Sequence, residues 1–334
     1  MRTTLKDIAN YLNVSVTTVS RAINDKGDIS PAMREKVLQV AKILDYKPNS
    51  IAISLRKKTA SDLIGVIIPT VNHYFFSTIL SGITTSEFER DDYMIMIGES
   101  NHDVTREKEL INKFQDHYVA GIILVPTRQA SSIENVTALQ RSSTPFILID
   151  RSFDAYDSSS IQYDDYQGGY LAASHLISKG RKKIALLKGD DDCSISSYRE
   201  RGYRSALHEA NLPVYDHLIR TCTNASRSEG YQATDELLSH QTPPDGIMTI
   251  TDQLAAGSLK CAINRNIQVP RDLSIIGYSD SEISKTITPK LSTINQDGYE
   301  MGKLAREYII QMCLHKEVVR QKVFTPELII REST

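Results

Sequence analysis

The sequence predicts a small all-α head followed by an α/β body of two Rossmann-like subdomains, and three observations carry that prediction. Two short helices separated by one turn residue open the chain. From residue 63 onward, apolar strand-like runs alternate with amphipathic helical stretches. Charge divides along the same line. The first 60 residues hold 11 Lys/Arg against 5 Asp/Glu, and the remainder holds 28 against 36, so the total of −2 hides a basic head on an acidic body. That asymmetry fits a protein whose head meets a polyanion.

The head reads as three helices. Leu5, Ile8, Ala9 and Leu12 have the i, i+3, i+4, i+7 spacing of one helical face, and Asn13 supplies the turn. The next helix, near Val16–Ile23, turns Val19, Ala22 and Ile23 inward and leaves Thr17, Thr18, Ser20 and Arg21 on a polar side. Ser15 stands at its N-cap, where a hydroxyl satisfies an orphan backbone N–H. Two such helices joined by a tight turn make a helix-turn-helix, whose second helix fits the DNA major groove. Asp25–Asp28 is a turn by composition. Ser30-Pro31 then opens a third helix, with proline at the first helical position. Met33, Val37, Val40, Ala41 and Leu44 line one face of it. Tyr46-Lys47-Pro48 ends it, because a residue before proline avoids the α region.

Residues 49–58 group Ala52, Leu55 and Arg56 within two potential helical turns, too few to be stable alone. The stretch is either a plain linker or a hinge that folds on DNA. In the second case Leu55 wedges into the minor groove with Arg56 beside it. The expected division is a DNA-binding domain at 1–47, a hinge and linker at 48–62, and a ligand-binding and dimerisation domain at 63–334.

In the body, strand-like runs occur at Leu63–Ile68, Tyr93–Ile97, Gly121–Val125, Phe146–Ile149, Lys183–Leu187, Leu218–Thr221, Gly246–Ile250, Leu273–Gly277 and Leu291–Ile294. Helical patterns separate most of them, including Phe76–Arg90, Tyr166–Ser178, Tyr198–Ala210 and Gly298–Cys313. Alternation of this kind means βαβ units and mostly parallel sheets. There are too many strands for one mononucleotide unit, so two subdomains with a cleft between them are expected. Ligands bind at the carboxyl ends of strands in such sheets. The expected lobes are 63–160 plus 292–321, and 161–291 plus 322–330. The tail run Val323-Phe324…Leu328–Ile330 reads as a last strand.

Cys193, Cys222, Cys261 and Cys313 are far apart and form no zinc or CxxC spacing, which fits free thiols in a reducing compartment. The N-terminus has no signal-peptide core and no run approaches a membrane span, so a cytoplasmic protein without membrane contact is expected. The eight histidines form no HExxH. There is no Walker A, G-x-G-x-x-G or G-x-S-x-G either, so neither an enzyme nor a cofactor is expected.

At this point the residues resemble a family. The run LKDIANYLNVSVTTVSRAIN at 5–24 resembles the head of LacI-type bacterial transcriptional regulators. REKV at 34–37, LDYKPN at 44–49, IGVIIP at 64–69, GYRSAL at 202–207, VPRDLSIIG at 269–277 and PKLSTI at 289–294 fall at that family's spacing. The resemblance implies a body like periplasmic sugar-binding proteins of type I, a homodimer and a pseudo-palindromic double-stranded DNA operator. It further implies repression switched by a small ligand, by family analogy a carbohydrate. The alternatives are a purine or sugar-phosphate corepressor and, in a different class, a solute-binding protein with no DNA role.

The family's base-reading positions fall on Val16, Thr17 and Arg21. Arginine bonds guanine O6 and N7 together, and valine suits a thymine methyl. Ser15, Thr18, Ser20 and Asn24 are the expected backbone contacts. For the cleft, the resemblance implies Asp150, Arg199 and Ser279. His73, Tyr74 and Phe75 follow the first strand and open a helix, where many relatives carry Asn-Pro-Phe-Phe, and Thr251 and Asp252 follow the strand Gly246–Ile250, so these too are expected at the cleft. Asp252 also reads as a helix cap, Asp150 as the partner of Arg151, and one of the two phenylalanines as core. Relatives carry an aspartate pair after Gly277-Tyr278, whereas this chain has Ser279-Asp280. The position that would grip two sugar hydroxyls has therefore lost its charge.

Overall fold

The computed structural model describes residues 3–23, 29–46, 62–85, 93–127, 132–151, 158–190 and 194–334. The chain forms two compact units, Met1–Ser61 and Asp62–Thr334. Asn24 and Ala52, Leu55 and Arg56, the residues expected of a hinge, lie outside the described residues.

The first unit holds α1 (Leu5–Leu12), α2 (Val16–Ile23) and α3 (Pro31–Ile43). Thr4 caps α1 in a reciprocal box with Asp7, whose carboxylate accepts from the Thr4 amide at 2.8 Å. Those hydrogen bonds hold the Asp7 carboxyl below its usual range. Asn13 turns the chain in the left-handed region at φ 51°, a conformation that asparagine tolerates better than most residues. Ser30 caps α3 with Pro31 inside the first turn, as its sequence predicts. Ile8, Ala9, Val19, Ala22, Val37, Val40 and Ala41 form the core that closes the three helices on each other.

The second unit contains two six-stranded sheets. Its elements in order are β1 (Leu63–Ile68), α4 (Tyr74–Thr84), β2 (Met94–Glu99), α5 (Val104–Asp116), β3 (Gly121–Leu124), α6 (Ser132–Gln140), β4 (Phe146–Ile149) and β5 (Ser160–Tyr163). Then come α7 (Asp165–Ser178), β6 (Ile184–Lys188), α8 (Ser194–Glu209), β7 (Ile219–Thr221), α9 (Arg227–Leu238), β8 (Gly246–Thr249), α10 (Asp252–Asn264) and β9 (Ser274–Tyr278). The chain ends with α11 (Glu282–Thr286), β10 (Ser292–Asn295), α12 (Gly298–Cys313), β11 (Gln321–Phe324) and β12 (Glu327–Ile329). The sheet orders are β11-β5-β4-β3-β1-β2 and β12-β10-β9-β8-β6-β7. All pairs are parallel except β10 with β12. Fully buried runs such as Leu63–Ile68 and Gly121–Leu124 are the signature of parallel strands covered on both faces.

Two expected lobe assignments are corrected. The strand at 292–295 belongs to the second sheet, not the first, because β10 pairs with β9. The strand at 321–324 belongs to the first sheet, where β11 pairs with β5 from Gln321↔Ser160 to Phe324↔Tyr163. The expected single tail strand is therefore two, β11 and β12, divided between sheets at Thr325-Pro326. The chain crosses between lobes three times, after β5, after β10 and after β11. Strand β5 and helices α6 and α11 were not among the expected elements.

Candidate DNA-reading helix and ligand cleft

The head presents one helix face outward. On α2, Val19 and Ala22 are buried, whereas Val16, Thr17 and Arg21 are exposed and Thr18 and Ser20 half-buried. The Ser15 hydroxyl accepts the Thr18 amide at 3.0 Å and lies 2.8 Å from the Thr18 hydroxyl. Ser15 is thus the N-cap, and it fixes the first turn from which Val16 and Thr17 project. Thr17 and Arg21 are i and i+4 and share a face. The arrangement can present one guanidinium, one hydroxyl and one apolar side chain to a groove.

In the second unit, a cavity opens where loops from the carboxyl ends of both sheets meet. Of the residues expected there, His73, Phe75, Asp150, Arg199, Thr251 and Ser279 line it. His73 stands at the N-cap of α4 without a side-chain cap bond, and its ring lies 5.0 Å from Phe76. Phe75 and Phe76 both line the cavity and both pack in the first-lobe core, so the wall and the core share these rings. Asp150 sits at φ 68° with its carboxylate 3.8 Å from Arg151 Nε. Ser279 (φ 101°) and Asp280 (φ 47°) both have positive φ. Such conformations each cost on the order of 1–3 kcal/mol and cluster at ligand-facing sites.

Arg199 is almost wholly enclosed. Its Nε donates to Asp165 Oδ1 at 2.8 Å, Nη1 to the Ile250 carbonyl at 2.8 Å and Nη2 to Gln296 Oε1 at 3.3 Å. The guanidinium also lies 3.5 Å over the Tyr278 ring. Burial alone would weaken its charge, but Asp165 and the Tyr278 ring outweigh that and raise its pKa. Arg199 therefore reaches the cavity as part of a fixed network.

Two expected cleft residues are placed elsewhere. Asp252 turns away from the cavity. Its Oδ2 accepts from the Ser281 amide at 2.6 Å and hydroxyl at 2.8 Å, and its Oδ1 accepts from the Thr293 hydroxyl at 2.7 Å. The cap of α10 is Thr251, whose hydroxyl accepts the Leu254 amide. Gly277 leaves room for the Asp252 carboxylate, because a Cβ there would stand 2.2 Å from Oδ1. Asp252 thus ties the β9–α11 loop to β10. Tyr74 is half-buried and off the lining, its phenol raised by burial while Lys285 pulls it down. Asp280 pairs with Arg331 at 2.5 Å, which ties the loop after β9 to the C-terminal segment.

Burial pushes the Asp252 carboxyl up to about 6 against its hydrogen bonds, from an ordinary 3.8. A folded pKa above the unfolded one stabilises fully below the unfolded value, and that contribution is lost as pH rises through the folded value. The protein should therefore lose stability between about pH 4 and pH 6 by on the order of 3 kcal/mol through this group. Asp252→Asn should flatten that part of a melting-temperature profile against pH. An unchanged slope would assign the titration to another carboxylate.

The structure adds residues that sequence reasoning passed over. His102 (φ 59°), Asp190, Ser196 and Gln296 line the cavity, and so does Arg151, which the sequence offered only as a partner for Asp150. Gln296 Nε2 and Arg151 Nε are buried and make no hydrogen bond. The position of Gln296 just after the β10 strand was the available signal for it. Among the described residues, no group of three His, Cys, Asp or Glu side chains is placed to hold a metal ion. No described helix is long and apolar enough to cross a membrane.

Two family models match separate stretches of the chain. Residues 4–49 match the family described as bacterial regulatory proteins, lacI family, and residues 173–334 match a periplasmic binding protein-like domain. The ribose operon repressor of Escherichia coli K12 is 33% identical over 333 residues, covering 99% of each chain. The HTH-type transcriptional regulator DegA of Bacillus subtilis is 31% identical over 339 residues, covering 100% of this chain and 98% of DegA. A solved Lac repressor dimer bound to operator and the anti-inducer ONPF superposes with a TM-score of 0.83 at 26% identity, covering 100% of this chain and 99% of the other.

Proposed function

The chain belongs to the lacI family of bacterial regulatory proteins, and from that premise we propose how its two units divide the work of a ligand-switched repressor. The head reads an operator. Arg21 bonds a guanine edge, Val16 and Thr17 meet neighbouring bases, and Ser15, Thr18, Ser20 and Asn24 contact phosphates. Ala52, Leu55 and Arg56 form the minor-groove hinge. A homodimer sets two heads on the half-sites of a pseudo-palindrome. The regulator works in the cytoplasm, where its DNA lies, and its task is binding rather than catalysis.

The body receives a neutral sugar. The observation that carries this reading is the mixed polarity of the cavity lining. Gln296 Nε2 is a buried donor that makes no hydrogen bond, and Arg151 Nε makes none beyond its 3.8 Å ion pair with Asp150. Asp150 and Asp190 bring carboxylate acceptors, and the His73 and Phe76 rings bring an apolar wall. A polyol both donates and accepts hydrogen bonds and has an apolar ring face, so it meets all three needs. Several relatives are named ribose operon repressor, which makes D-ribose the first probe. A sugar phosphate competes because Ser279 is uncharged where the family pattern carries an acid. Titration calorimetry on the full chain should give saturable binding of D-ribose or a related neutral sugar, and none of D-ribose 5-phosphate. Binding confined to the phosphorylated sugar would reverse the assignment.

A further inference from the structure

The three crossover segments that join the lobes converge on one side chain. Tyr163 is the last residue of β5, and the first crossover begins at Asp164. Its hydroxyl accepts the amide of Asp297, in the second crossover, at 2.6 Å. Its ring stacks on Phe324, the last residue of β11 before the third crossover, with centroids 5.4 Å apart and planes inclined by 30°. The Phe324 carbonyl in turn accepts the Asp164 amide at 2.9 Å.

The first two crossovers also share a conformation. Asp164 caps α7 of the second lobe with φ −77° and ψ 86°, and Asp297 caps α12 of the first lobe with φ −78° and ψ 86°. Each crossover thus runs straight into a helix N-terminus of the lobe it enters. The two caps are held by amide bonds that meet at Tyr163 and Phe324.

Both walls of the cavity touch this point. Phe75, on the first-lobe wall, packs edge-on against Tyr163 at 6.5 Å. Gln296, which lines the cavity, precedes Asp297 in the chain, and its Oε1 accepts from Arg199 and Ser279 while its buried Nε2 makes no hydrogen bond. Asp165 follows Asp164 and holds Arg199.

From this convergence we propose that Tyr163 is the pivot of lobe closure. A ligand that engages Gln296 and Phe75 shifts both crossover caps together through the Tyr163 phenol. Hinges are a few element-terminal residues that absorb a backbone change, and here three crossovers meet at one side chain, by a hydrogen bond from Asp297, a ring contact with Phe324 and the chain itself at Asp164. Tyr163 is a positioning residue that acts through its neighbours. The pivot rests on the reading of this cavity as the ligand cleft, and the identity of the sugar does not enter it.

The test uses the full chain carrying Tyr163→Phe, which keeps the ring contacts and deletes the acceptor of the Asp297 amide. Hydrogen exchange read by mass spectrometry without ligand should accelerate at least tenfold in peptides covering Asp297. Peptides covering Asp164 should accelerate with them, while β3 and β8 stay unchanged. Phe324→Leu, which leaves the phenol intact, should accelerate the same two peptides. Acceleration confined to Asp297 would reduce Tyr163 to a local hydrogen-bond acceptor and overturn the pivot. A D-ribose titration of the wild-type chain runs beside it. Coupled exchange without D-ribose binding would keep the pivot and discard the sugar. D-ribose binding without coupled exchange would do the reverse.

Discussion

Arg21→Ala weakens operator binding by roughly 5- to 150-fold, the ~1–3 kcal/mol of one bidentate arginine–guanine contact, and relaxes discrimination at a single base pair. The size follows from the position. Arg21 is exposed on α2 while Val19 and Ala22 of the same helix are buried, so the substitution removes a reading group and leaves the core of the head whole. The head's melting should therefore move by no more than about 0.5 kcal/mol, as for surface substitutions generally. Thr18→Ala gives the contrast. Its loss of a phosphate contact should lower affinity about equally for all sequences and leave the base preference unchanged. Fluorescence anisotropy against a set of single-base operator variants separates the two. An Arg21→Ala protein with an unaltered base preference would move the reading function off this helix face.

The second large effect is expected at Arg199. Arg199→Ala leaves the Asp165 carboxylate buried without its cation, and breaking a buried pair in this way costs about 3–5 kcal/mol. For a unit of this size that corresponds to a fall in melting temperature on the order of 10 °C. The loss extends beyond the pair, because the guanidinium also bonds the Ile250 carbonyl and Gln296 and lies over Tyr278. Adding Asp165→Asn to an Arg199→Met background should restore much of the melting temperature, since neither charge is then stranded. Sugar binding should stay weak in that double variant, because the cavity still lacks the guanidinium. Recovery of binding together with stability would make Arg199 purely structural.

The head was almost wholly legible in the sequence, for a physical reason. Its helices are set by local signals: the capping residues Ser15 and Ser30, the first-turn Pro31 and the apolar spacing of Ile8, Ala9 and Leu12. Most strands of the body were legible as apolar runs to within a residue or two. Sheet membership was not, because the placements of β10 and β11 depend on pairing with β9 and β5, residues distant in sequence. Strand β5, at Ser160–Tyr163, was unread because it is short and mixes polar with apolar residues.

The cleft divides in the same way. Asp150, Arg199 and Ser279 were read from a family pattern, and all three line the one cavity. Asp252 was misplaced because the residue after a strand can turn either toward the cleft or into the next loop. The partners that decide it, Ser281 and Thr293, lie 29 and 41 positions away. Gln296 and Arg151 were passed over because what marks them, a buried nitrogen without a hydrogen bond, is set by the fold and no local motif encodes it.

The central claim is that one chain couples an operator-reading head to a sugar-binding cleft. The most direct measurement is the anisotropy of a labelled duplex from the DNA upstream of its own gene, titrated with the full chain with and without saturating sugar. The account predicts tight, sequence-dependent binding that sugar shifts by about 5- to 150-fold, the ordinary range of allosteric coupling. Binding that is identical with and without a sugar known by calorimetry to occupy the cleft would contradict it.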